Sequence, residues 1–286
     1  MPPRIAIPMP HSSDPEYAER AIPQYERAVK LAGGEPVRIP LDLPSAEVKK
    51  IIEHCDGVLL PGSKADLDPA RFGAARSPQT ATADTRRETI DNLLLQDAYN
   101  LRKPVLGICY GLQSLNVYHS GSLIQHIPDF LPEDLRTGVN HDAGKTVAVA
   151  HEVKIESESK LAEILCEESG PRLSREAQLG GATEKENREG QGLSRANKSF
   201  ERNRALAPEG NSLVIPVNSS HHQSADAIGN GLRMVARCVE DGIIEALEGT
   251  APDHFVLAVQ WHPERSVDDD EPSRAIFRAL IKAAEK

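Results

Sequence analysis

Through its first half the chain alternates short apolar runs with longer stretches in which apolar positions recur at helical spacing. Residues 4–8 (Arg-Ile-Ala-Ile-Pro) read as a strand, and residues 15–32 as a helix stopped by Gly33-Gly34. Residues 36–39, 57–60 and 105–108 are three further strand candidates. Between the last two a helix is expected over 85–101, opened by Thr85-Arg86-Arg87-Glu88, a sequence that suits a capping box. Strands taking turns with helices require crossover connections, and hence a mainly parallel sheet.

The second half carries more β-signals, at 146–155, 213–217, 232–239, 243–248 and 255–260. Glu240-Asp241-Gly242 between two of them is a hairpin turn, so antiparallel strands are expected to extend the sheet. A last helix is predicted over 272–284, its N-terminus supplied with acids by Asp268-Asp269-Asp270-Glu271. The stretch 167–211 breaks the pattern. It lacks Val, Ile, Trp, Tyr, Met and Cys, and its large apolar residues are Leu173, Leu179, Leu193, Phe200 and Leu206. So little apolar surface cannot offset the entropy of ordering the segment. It reads as a polar, mostly mobile insertion with a short helix around 194–205, in a chain whose residues 1–286 otherwise form one domain.

Composition narrows the classes of function. Lys and Arg number 33 against 43 Asp and Glu, a formal charge of −10, which argues against binding nucleic acid or an anionic membrane. No apolar run approaches the roughly 20 residues of a spanning helix, and the start Met-Pro-Pro-Arg-Ile-Ala-Ile-Pro is too short and Pro-broken for a signal peptide. A cytoplasmic location is therefore expected. Cys55, Cys109, Cys166 and Cys238 lie far apart with no C-x-x-C pair, which argues against a disulfide scaffold and a four-thiolate zinc site.

Of these cysteines, Cys109 stands in a distinctive frame. Pro104-Val-Leu-Gly-Ile-Cys109-Tyr-Gly111-Leu-Gln113 is an apolar strand running into G-x-C-x-G and then a helical pattern, the layout of a nucleophile elbow. Glycines permit the tight turn, and a thiol at a helix N-terminus meets free N–H groups that favour its thiolate. The amide of Tyr110, just after the nucleophile, would point at the oxyanion of a tetrahedral intermediate. A thiolate nucleophile wants a base, and the base an orienting group. Gln260-Trp-His262-Pro-Glu264 ends a strand with a histidine and a glutamate two residues apart, on one face of an extended segment. Leu60-Pro-Gly62-Ser63 leaves another strand through a glycine turn, where a backbone N–H can approach a ligand as a second oxyanion donor. Asn218-Ser219-Ser220-His221-His222-Gln223 groups six polar residues after a strand. Neighbouring histidines on a strand point opposite ways and no spaced third ligand is evident, so no metal site is assigned.

These motifs resemble the class I glutamine amidotransferase fold: Gly-Ile-Cys109-Tyr-Gly-Leu-Gln113, Gln-Trp-His262-Pro-Glu264 and Leu-Pro-Gly62. Leu60-Pro-Gly-Ser-Lys-Ala-Asp-Leu-Asp-Pro69, Gly121-Ser-Leu-Ile-Gln-His-Ile127 and Val217-Asn-Ser-Ser-His221-His-Gln223 narrow the likeness to the free-standing branch typified by gamma-glutamyl-gamma-aminobutyrate hydrolase, the C26 peptidases. The resemblance covers the chain except for 167–211. It implies a flavodoxin-like three-layer α/β sandwich in which Cys109 attacks a γ-glutamyl amide, His262 shuttles the proton and Glu264 orients His262. Gly62 and Tyr110 would hold the oxyanion, while Gln113, Ser219, His221, His222 and Gln223 would contact substrate. It implies a small-molecule γ-glutamyl substrate and no metal, nucleotide or organic cofactor, and leaves a homo-oligomer open. The branch often carries Arg where this chain has Tyr110, a change expected to touch substrate choice more than catalysis.

Three readings follow: a stand-alone cysteine hydrolase of γ-glutamyl amides, a glutaminase subunit feeding ammonia to a synthetase, and a non-catalytic binding module. The absence of an attached synthetase domain and the His-His-Gln loop favour the first.

Overall fold

In a computed structural model, residues 1–136, 138–167 and 213–285 are described. Apart from Glu167, which closes a helix, the polar stretch 167–211 lies outside the described residues.

A nine-stranded sheet organises the fold. Strands β1 (Arg4–Pro8), β2 (Glu35–Ile39), β3 (Gly57–Leu60) and β4 (Val105–Ile108) are joined by helices α1 (Pro15–Leu31), α2 (Ser45–Ile52) and α3 (Thr85–Leu101). With β11 (Val256–Val259) they form a parallel block in the order β2-β1-β3-β4-β11. β3, β4 and β11 are buried throughout, as strands covered on both faces must be. On the far side of β11 the sheet continues antiparallel through β10 (Ile244–Gly249), β9 (Leu232–Cys238), β6 (His151–Ile155) and β7 (Leu213–Val217). One apolar layer packs α1 and the C-terminal helix α7 (Glu271–Ala284) on the sheet, and a second packs α2, α3 and α4 (Tyr110–Tyr118) on its other face. This is the expected three-layer α/β sandwich, parallel in its first half and extended by antiparallel strands in its second.

Several elements differ from the sequence reading. Residues 146–150 stay outside β6, which starts at His151. The capping box at 85–88 does not form: Asp84 is the N-cap and accepts from the Arg87 amide at 3.1 Å, while Glu88 reaches across to the Asp68 amide at 2.8 Å. The acid run before α7 behaves as expected at its last member, since Asp270 caps the helix by accepting from the Ser273 amide at 3.0 Å. The short helix α5 (Ile127–Phe130) and the two-stranded pair β5 (Leu123–Ile124) with β8 (Ser224–Ala225) are too short to carry a periodicity, while α2 and the helix α6 (Lys160–Glu167), whose apolar residues do recur at helical spacing, are absent from the sequence reading. The β5–β8 pair anchors residues 218–223 beside the C-terminal ends of the parallel strands, the edge where open α/β sheets bind ligands.

Candidate active site

At the end of β4 the chain turns sharply into α4, and Cys109 occupies the turn with φ 54° and ψ −105°. For a side-chain-bearing residue this is a strained conformation, held here by the packing around it. Its cause is the close approach of α4 to β3. A Cβ added at Gly111 would lie 2.1 Å from the Leu60 carbonyl oxygen, so only glycine lets the first turn of the helix sit against the strand. Gly111→Ala is accordingly expected to cost at least the roughly 1–3 kcal/mol of an overpacked core, read as a lower urea midpoint, and to lower activity with it.

The elbow leaves Cys109 at the N-terminus of α4, where the first amides have no intrahelical acceptor. His262 lies at the end of β11 and borders the same cleft as Cys109. Its Nδ1 meets Glu264 Oε1 at 2.7 Å, and its backbone N–H donates to Asn218 Oδ1 at 3.0 Å. Pro263 opens a single 3-10 turn, Pro263–Arg265, which brings Glu264 back under the ring. Burial opposes charging of His262, but the carboxylate of Glu264 and the neighbouring thiol outweigh it and raise the imidazole to about 9. Glu264 is also buried, yet His262 holds its carboxyl below the usual range. The three residues singled out from sequence are thus brought together, with one ring nitrogen on the carboxylate and the other free for the thiol.

The oxyanion expectation needs correction at Gly62. Its N–H donates to the buried Tyr25 hydroxyl at 3.0 Å and is already spent. The next amide, that of Ser63, makes no hydrogen bond among the described residues, and Ser63 borders the same cleft as Cys109 and Tyr110. Gly62 is needed for space: a Cβ there would fall 3.1 Å from His262 Cε1. Tyr25, on α1, was invisible as a site residue because nothing in its local sequence marks it.

Cys109 opens into a cleft of about 380 Å³. Of the substrate-binding residues expected from sequence, Gln113, His221, His222 and Gln223 line it. The Ser219 hydroxyl faces Glu245 Oε2 at 3.4 Å and is fully buried; Ser220 takes its place at the cleft wall. His221 borders the cleft while its Nε2 lies 3.3 Å from the buried Glu245 Oε1, so the same ring forms part of the wall and contacts the carboxylate behind it. Gln113 is held by the Gln223 carbonyl at 3.1 Å, and His222 by Asp66 at 3.2 Å. The sequence reading missed the charged rim. Arg20, Lys145 and Arg265 stand on it with Asp66 and Asp142, residues scattered over the length of the chain.

Beneath the elbow lies another unanticipated feature. Arg87, fully buried on α3, bonds Asp91 Oδ1 at 2.7 Å, donates to the carbonyls of Pro61 at 2.7 Å and Pro10 at 3.2 Å, and stacks 4.8 Å from the centre of the Tyr110 ring. One side chain therefore ties together the turn before Gly62 and the residue after Cys109.

Comparison with known proteins agrees with this geometry. The sequence signature of the family described as Peptidase C26 matches residues 5–174 and 171–264. The chain belongs to the peptidase C26 family. It is 31% identical over 280 residues to a glutamine amidotransferase-like protein of Rickettsia prowazekii, covering 94% of this chain and 90% of that one. It is 28% identical over 264 residues to the gamma-glutamyl-gamma-aminobutyrate hydrolase PuuD of Escherichia coli K12, covering 92% and 85%. Among solved structures, a GMP synthase component from Thermoplasma acidophilum superposes with a TM-score of 0.56 at 13% identity, over 99% of this chain and 94% of that one. PurLQS from Thermotoga maritima gives 0.52 at 17%, over 99% of both, and these two likenesses bear on the fold alone. This C26 protein is a glutamine amidotransferase-like hydrolase acting on amide bonds. No helix among the described residues is long and apolar enough to cross a membrane.

Proposed function

We propose that this C26 protein hydrolyses the γ-glutamyl amide of a small amine through a glutamyl thioester on Cys109. The observation that carries the proposal is the strained elbow at Cys109 on the same cleft as the hydrogen-bonded His262–Glu264 pair. Sulfur attacks the amide carbonyl carbon while the thiol's proton is held on His262 as an imidazolium, the charged form that Glu264 and the adjacent sulfur favour. The resulting oxyanion meets the amides of Tyr110 and Ser63. On collapse the C–N bond breaks, the amine leaves with the proton from His262, and the acyl group stays on sulfur. Water then attacks the thioester carbonyl carbon, its proton taken by His262; the C–S bond breaks, glutamate departs, and Cys109 and His262 return to their starting state. Glu264 keeps Nδ1 of the ring engaged through both halves.

The cleft rim suits the amino-acid end of such a substrate. Arg20, Lys145 and Arg265 offer positive charge to an α-carboxylate, and Asp66 and Asp142 offer negative charge to an α-ammonium. The likeness to the E. coli hydrolase supports γ-glutamyl-γ-aminobutyrate as the first substrate to try. In a panel of γ-glutamyl amines alongside glutamine, at least one amine is expected to be cleaved with kcat/KM well above that for glutamine. Ammonia release from glutamine alone, and only with a synthetase present, would instead make the chain a glutaminase subunit.

Glu264→Gln supplies a pH test. Because His262 titrates near 9 when folded and near 6.5 when unfolded, the folded state binds the extra proton between those values. The contribution to stability is complete below about pH 6.5 and is lost as pH rises through about 9. Removing the carboxylate should flatten that fall in urea titrations at pH 6, 7.5 and 9, and lower kcat by roughly 10²–10⁴-fold.

A further inference from the structure

Behind the cleft wall, four side chains from distant parts of the chain converge in the antiparallel half of the fold. His141 precedes β6, His151 begins it, His221 follows β7 and Glu245 lies in β10. Their side chains are at most 4% exposed. One carboxylate oxygen, Glu245 Oε1, faces His141 Nδ1 at 3.1 Å, His151 Nε2 at 3.3 Å and His221 Nε2 at 3.3 Å. None of these four atoms makes an aligned hydrogen bond, although all are buried.

The outward ring nitrogens explain why that matters. His141 Nε2 is 2.8 Å from Asp241 Oδ2, His221 Nδ1 is 2.8 Å from the Gln223 carbonyl, and His151 Nδ1 is 3.3 Å from the Glu152 carbonyl. Each outward nitrogen thus faces an acceptor and is the one that carries the ring proton in a neutral imidazole. Three inward lone pairs then point at a carboxylate, an arrangement that a cation satisfies. A second shell of carboxylate and carbonyl acceptors behind metal-binding histidines is the usual way their tautomer and orientation are fixed.

The backbone is also arranged to present Glu245. Pairing with β9 shifts register between Ile244 and Ala246, which makes Glu245 the extra residue of a bulge, a device that re-aims a side chain. Its second oxygen is met by Ser219. From these observations we infer that His141, His151, His221 and Glu245 bind one divalent transition-metal ion of the zinc class, in a closed structural site. Three imidazoles and one carboxylate make a four-coordinate zinc donor set, and the three 3.1–3.3 Å separations match the roughly 3.3 Å edge of a tetrahedron with arms of about 2.0–2.1 Å. The +2 ion is balanced by the Glu245 and Asp241 carboxylates. With all four positions taken by buried protein ligands, the ion braces rather than reacts. It ties β6 and β10 to the 218–223 loop, whose Asn218 holds the His262 amide and whose Ser220, His222 and Gln223 line the cleft.

The test is elemental analysis of the full chain, produced without a polyhistidine tag in zinc-supplemented medium and dialysed extensively. About one zinc per chain is expected, with Co(II) exchange giving the intense visible bands of a tetrahedral site. Chelation should lower the thermal midpoint by several degrees, reversed by zinc. Glu245→Gln and the milder His151→Asn should both lose the metal, while Cys238→Ser, beside the cluster, should keep it. Absence of zinc and of cobalt bands from the wild type overturns the assignment, whatever the variants do. So does loss of metal in Cys238→Ser with retention in Glu245→Gln, which would place the ion on His141, Cys238 and Asp241.

Discussion

Cys109→Ala is expected to abolish turnover of every amide the wild type cleaves, with kcat/KM falling by more than about 10⁴-fold and the urea midpoint barely moved. The size of the loss follows from the mechanism. Without the sulfur there is no acyl-enzyme, and the remaining groups, an oxyanion pocket and a histidine, have no nucleophile to assist. Stability should be nearly unchanged because the thiol fills little space at the helix start. Small residues also tolerate the positive φ at 109 no worse than cysteine does. Steady-state kinetics on the cleaved γ-glutamyl amide, beside a urea titration, reads both. Retention of more than a tenth of wild-type activity would mean that another group attacks the carbonyl.

Arg87→Met should give the largest loss of stability, about 3–5 kcal/mol, because it leaves the fully buried Asp91 carboxylate and the Pro61 and Pro10 carbonyls without their donor. Burial already pushes the Asp91 carboxyl up despite the guanidinium beside it. With Arg87 gone it should rise further, so the folded variant binds a proton that the unfolded chain has released. Stability of the variant is then expected to fall as pH rises from 5 to 8, more steeply than that of the wild type. The double variant Arg87→Met, Asp91→Leu, which removes the orphaned charge, should recover part of the loss and most of the pH slope. Activity should drop in both variants, since the Pro61 turn and Tyr110 lose their common anchor. Equal stability of wild type and Arg87→Met in urea would contradict this account of the elbow's support.

What was legible in the sequence was local. The run into Cys109, the strand ending in His262-Pro-Glu264 and the parallel half of the sheet depend on residues within a few positions of one another, so spacing and turn chemistry reveal them. The hidden parts depend on contacts across the fold. Gly62 reads as an oxyanion donor because it follows a strand through a glycine turn, yet Tyr25, 37 residues earlier, takes its amide. His221 reads as a cleft residue beside His222 and does border the cleft, but its place in a cluster with Glu245 and two histidines 70 and 80 residues earlier is invisible in its local sequence. Arg87 reads as part of a capping box and is instead a buried clamp, since Asp84 one position before Thr85 offers the better cap.

The central claim is that Cys109 is the nucleophile of a glutamyl-shaped site, and intact mass spectrometry with the glutamine-analogue electrophile 6-diazo-5-oxo-norleucine tests it most directly. Wild type is expected to gain a single adduct that maps to Cys109, blocked by excess substrate and missing from Cys109→Ser. An adduct of equal yield on Cys109→Ser, or labelling of the wild type only at Cys55, Cys166 or Cys238, would contradict it.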